Sequence, residues 1–93
     1  METTDKCNKI VRSFSEVDFS EMVLPGIVIY NSPSDFDGVY VCRLYEMSIS
    51  EPTNIIIVRS SLEECRKDIN KSGFYAKLER DTRDVLSIVE TWV

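Results

Sequence analysis

The first apolar stripe along the chain is Cys7, Ile10, Val11 and Phe14, at helical spacing behind Thr3 or Thr4 as N-cap. That pattern predicts a short N-terminal helix. Ser13 to Glu21 breaks it and reads as an irregular connection. From Ile27 the period changes. Ile27-Val28-Ile29-Tyr30 follows the turn signal Pro25-Gly26 and is β-branched and aromatic, a composition that suits a half-buried pleated surface. Turn formers fill Asn31 to Gly38. A second β run then extends from Val39 to Glu46, with Tyr40, Cys42 and Leu44 alternating with Val41, Arg43 and Tyr45. The two runs are expected to form a hairpin that places Cys42 in the core. A loop from Ser48 to Thr53, with Pro52, leads to Ile55-Ile56-Ile57-Val58, an apolar run expected of a central strand covered on both faces.

Ser61-Leu62-Glu63-Glu64 has the form of a capping box, with the serine oxygen accepting an amide three residues on and Glu64 reaching back. Leu62, Cys65 and Ile69 make the buried stripe of the helix it opens. Arg66, Lys67 and Lys71 suit its C-terminal dipole, and Gly73 supplies the left-handed stop. Phe74 to Glu79 reads as a short β segment, Arg80 to Asp84 as a charged turn, and Val85 to Val93 as a last β stretch. Three strands, a helix and two strands predict an α+β fold. Its expected form is a small, mostly antiparallel sheet of about five strands with one main helix on one face, plus the N-terminal helix. One domain, 1–93, is expected, with 1–21 as an N-terminal extension and 22–93 as the sheet-plus-helix core.

The 93 residues, 43% of them hydrophobic, suffice for one core without metal or disulfide support. Sixteen acidic against eleven basic residues give a net charge of -5, which argues against direct nucleic-acid binding. With Lys and Arg read as scattered along the chain, the charge serves solubility. Histidine is absent, and Cys7, Cys42 and Cys65 form no CxxC pair. A zinc site, or a nucleophile with an imidazole base, therefore lacks its usual parts. Unpaired cysteines without a signal segment or a membrane-length apolar run predict a reducing cytoplasm.

Candidate chemistry is thin. Asp35 and Asp37 share a polar loop, but the glycine and distal glutamate of a calcium loop are missing, so no metal and no cofactor are expected. Arg43, Arg59 and the Arg80-Asp81-Thr82-Arg83 turn can grip an anion, although sixteen carboxylates compete for them. Tyr30, Tyr40, Tyr45 and Tyr75 fall on predicted strands, where core packing or a protein interface is their ordinary use. Glu90, among apolar neighbours beside Trp92, is a carboxyl that burial could raise, yet strand alternation places it on a wet face. No catalytic set emerges.

Leu24-Pro25-Gly26-Ile27-Val28-Ile29-Tyr30, Pro33-Ser34-Asp35, Tyr40-Val41-Cys42-Arg43-Leu44, Pro52-Thr53 and Ile88-Val89-Glu90-Thr91-Trp92 together resemble a group of small uncharacterised proteins from low-GC Gram-positive bacteria and their phages and mobile elements. Residues 22 to 93 carry the resemblance, with departures at Phe36 and Ser87. It implies a compact sheet-plus-helix protein and no transferable activity.

The leading expectation is a non-enzymatic protein-binding module, an inhibitor or regulator of a host protein such as a defence nuclease. Its contact residues are drawn from Tyr30, Asp35, Asp37, Tyr40, Arg43 and Arg59. The alternative is a small-molecule or anion-binding protein using Tyr30, Tyr40, Arg43 and Arg59. A homodimer through a sheet edge is the third expectation.

Overall fold

The computed structural model describes residues 8–31, 38–78 and 88–93. Their elements are β1 (Lys9–Ile10), a 3-10 turn (Phe14–Glu16), β2 (Pro25–Asn31), β3 (Tyr40–Glu46), β4 (Glu51–Arg59), α1 (Leu62–Lys71), β5 (Lys77–Leu78) and β6 (Ile88–Trp92). The six strands form one sheet in the order β1-β4-β3-β2-β6-β5. Every pairing among the described residues is antiparallel except β1 with β4, so these residues form an α+β fold with a mixed sheet and one helix. No helix among the described residues is long and apolar enough to cross a membrane.

The expected N-terminal helix does not form over the described residues, and Cys7 lies outside them. Lys9 and Ile10 instead pair in parallel with Ile55 and Ile56, and the Val11 amide donates to the Ile56 carbonyl. A helix of that length is marginal alone, whereas the β4 edge offers ready backbone partners to a β-branched segment. β4 is interior but flanks the edge strand, and β3 and β2 hold the middle.

Two further boundaries differ from expectation. Pro25 and Gly26 open β2 rather than precede it, and the loop before β4 shrinks to the turn Met47–Ser50. Pro52 enters the ladder opposite Tyr45, and the register shifts between Arg43 and Tyr45. The Thr53 hydroxyl spans this irregularity, donating to the Leu44 carbonyl and accepting from the Ile55 amide. A bulge is where a ladder tolerates a residue with no N–H to give.

Helix α1 starts and stops as its sequence predicts. Ser61 Oγ accepts the Glu64 amide, while the Glu64 carboxylate reaches back one residue past the cap to accept the Ser60 hydroxyl. At the other end Gly73 has φ 102°, its amide bonds the Asn70 carbonyl, and the Phe74 amide bonds that of Ile69. This left-handed stop drops Phe74 into the core beside Ile69.

Ile27, Ile29, Cys42, Leu44 and Ile57 line one sheet face, where Cys65 and Ile69 of α1 and Phe14 of the 3-10 turn cover them. Phe19 extends the cover, meeting the Phe74 ring edge-on. Residues 11–22 therefore pack alongside α1 as part of the same core. The far face carries Val28, Val41 and Ile56, all buried, with Tyr30, Arg43 and Tyr45 half-buried among them.

Candidate functional site

The register divides the residues singled out from sequence. Tyr40 and Arg59 pair across β3 and β4 on the helix face, whereas Tyr30 and Arg43 stand on the far face. The four therefore do not converge. Asp35 and Asp37 lie outside the described residues, as do Arg80 and Arg83.

Both described arginines of the set are occupied. Arg43 donates from Nη1 to the Thr53 carbonyl (2.8 Å) and from Nη2 to Asn8 Oδ1 (3.0 Å). Arg59 donates to the Val58 and Arg12 carbonyls and to Asp68 Oδ2. Tyr30 and Tyr45 flank the Val28–Arg43 rung and hydrogen-bond through their hydroxyls, so the two rings close over that rung.

Asp68, only 8% exposed, was not legible as a core residue. Its second oxygen accepts the Phe14 amide (3.1 Å). One carboxylate thus ties α1 to the N-terminal segment and to β4, satisfying donors that burial would otherwise orphan. Beside it is an open cleft of about 330 Å3 lined by Arg59, Glu64, Lys67, Asp68 and Lys71. Among the described residues neither Lys67 nor Lys71 forms an ion pair.

Glu90 overturns the wet-face expectation. It pairs with Ile29 on the helix face and is 7% exposed. Arg66 Nε reaches both carboxylate oxygens at 3.1 Å, Arg66 Nη2 joins them, and the Trp92 indole donates to Oε1. Burial pushes this carboxyl up, but Arg66, Trp92 and Lys77 outweigh it and hold Glu90 below the usual range. A charged, fully engaged carboxylate is a staple rather than a general acid.

The core also holds the Cys42 and Cys65 thiols, hydrogen-bonded to each other. That bond and burial raise Cys42, while the same bond draws Cys65 down. No group of three or more metal-binding side chains assembles among the described residues.

A different feature stands at the end of the sheet where β2 begins and β3 turns into β4. The Glu46 carboxylate accepts the amides of Val23 (2.9 Å), Leu24 (2.8 Å) and Ser48 (3.3 Å) and the Ser48 hydroxyl (2.7 Å). Led by the Ser48 hydroxyl and the Leu24 amide, these donors hold it down to about 2. The Met47 amide adds a bond to the Leu24 carbonyl (2.8 Å). Gly26 permits this closeness, because a Cβ there would meet Met47 Cγ at 2.5 Å and the Trp92 carbonyl oxygen at 3.2 Å.

No protein family, curated protein or solved structure matches this chain. Its function therefore has to be argued from its own geometry. The Glu46 clamp fixes two loops side by side, and on them Val23 is 80% exposed, Leu24 49% and Ile49 63%. Three large apolar side chains thus face water on backbone that one carboxylate keeps in place. Sequence reasoning missed this end. Its only signal was Val23-Leu24 ahead of Pro25-Gly26 and the lone Ile49 in a serine-rich turn.

Proposed function

We propose that this protein is a non-enzymatic protein-binding module that docks through the end of the sheet bearing Val23, Leu24 and Ile49. The supporting observation is that Glu46 fixes the backbone that carries these exposed apolar side chains. Loops that are already fixed lose little conformational freedom on binding, and burying such side chains then contributes directly to affinity. The occupied states of Arg43, Arg59, Asp68 and Glu90 favour the same reading, since each serves the fold. An inhibitor or regulator of a host protein, carried by a phage or mobile element and working in the cytoplasm, is the setting that fits a small module whose described polar residues serve the fold.

The test is affinity capture from host extract with the wild-type chain and with a Val23→Asp, Ile49→Asp variant. Both positions are exposed, so the variant keeps its melting temperature. A stoichiometric partner held by the wild type and lost by the variant supports the proposal. A partner held equally by both, or none at micromolar concentration, overturns it.

Anion binding is the second reading, and the observation favouring it is the cleft lined by Lys67 and Lys71, neither of which forms an ion pair among the described residues. Inorganic phosphate or small carboxylates at millimolar concentration would then raise the melting temperature. Self-association through a sheet edge has less to build on, because the described edge strands, β1 and β5, are two residues each.

A further inference from the structure

Lys and Arg are not evenly scattered along this chain. Between Ser13 and Val58 there are seven carboxylates and one cation, Arg43, so ten of the eleven basic residues lie outside that span. Arg43 is held on the far face by Thr53 and Asn8. In contrast, α1 and its flanks carry Arg59, Arg66, Lys67 and Lys71. The 13–58 segment is therefore strongly acidic, and the apolar end of the sheet belongs to it.

At that end Glu21 lies two residues before Val23, and Glu51 two residues after Ile49. Both are exposed, and neither forms an ion pair among the described residues. Glu51 also sits directly across the ladder from Glu46. Like charges facing each other on adjacent strands are unfavourable, and the bonds that hold Glu46 low keep it ionised. The isolated protein thus keeps exposed apolar side chains beside an acidic rim, Glu21 and Glu51, that has no ion-pair partner among the described residues. That arrangement becomes favourable when a cationic surface closes on it, and it also speeds encounter with such a surface.

We infer that the partner presents an apolar centre ringed by Lys or Arg side chains to the Val23, Leu24 and Ile49 end of the sheet. This rests on the protein-binding reading and names the chemistry of its partner. The same rim opposes an anionic membrane surface, whose headgroups repel carboxylates.

The inference is tested by amide chemical-shift titration of the full chain with two amphipathic peptides of equal length and identical leucine faces, one with lysine and one with glutamine on the polar face. Vesicles of phosphatidylcholine serve as the third probe. The leucine/lysine peptide is expected to shift amides within 21–24 and 46–51. It should bind about tenfold or more tightly than the leucine/glutamine peptide, and lose that advantage between about 0.05 and 0.5 M salt. A Glu21→Lys, Glu51→Lys variant should lose the preference while retaining glutamine-peptide binding. Equal binding of both peptides at these amides overturns the cationic partner and leaves the docking surface standing. Shifts confined to other residues, or produced there by the vesicles and by neither peptide, overturn the inference and the docking surface together.

Discussion

Glu46 shows how one side chain can set the behaviour of a surface it does not itself form. Its carboxylate accepts four donors from two loops, and the ionised form is the one those donors stabilise. Glu46 titrates near 4.5 in the unfolded chain and is held down to about 2 when folded. Its contribution is therefore fully present above about 4.5 and is lost as pH falls from there through about 2. Melting temperature followed across that window should fall less steeply for Glu46→Gln than for the wild type. Identical slopes would show that the clamp does not couple to folding. In the sequence this glutamate is only the last residue of a β run. Its role depends on Val23 and Leu24, 23 and 22 positions away, so no local pattern marks it.

At the scale of elements, helix α1 was legible at both ends because its signals are local. Ser61 and Gly73 act within four residues of the turns they cap or stop. Its buried polar contacts were not legible. Arg66 fits a dipole-complementing residue by position, yet it reaches Glu90 on β6, 24 residues on. Arg66→Ala leaves that buried carboxylate with only the Trp92 indole and the more distant Lys77, and is expected to cost about 1 to 2 kcal/mol, a value kept low because the Arg66 side chain is 44% exposed. Adding Glu90→Leu should restore most of it, since an apolar residue needs no partner. Denaturant unfolding of the two single variants and the double variant measures the coupling, and additive losses would mean the pair is not one unit.

For the whole molecule, the segment before β2 is the informative part. Read as an extension, it supplies an edge strand, and Phe14 is fully enclosed among α1 and the sheet. Phe14→Ala is accordingly expected to cost about 3 to 5 kcal/mol, the loss typical of a fully buried aromatic in a core. A dispensable extension would lose almost nothing in the same chemical denaturation experiment. The Asp68 bond to the Phe14 amide makes the same connection from the helix side.

What the sequence determined by itself are the features governed by near neighbours. These include the β-branched runs that became β2, β3 and β4, the capped helix between strands, the burial of Cys42 and Ile57, and a chain able to form one core. What only the tertiary structure decided depends on register and strand order. Antiparallel pairing sent Tyr30 and Arg43 to one face and Tyr40 and Arg59 to the other. It turned Glu90 inward against Arg66 and brought Glu46 within reach of Val23 and Leu24. The β4 edge drew the N-terminal segment out of its helical pattern. The physical reason is the same in each case: side-chain period and capping act over a few residues. Which polar groups must be satisfied, and by what partner, is fixed only when distant strands meet.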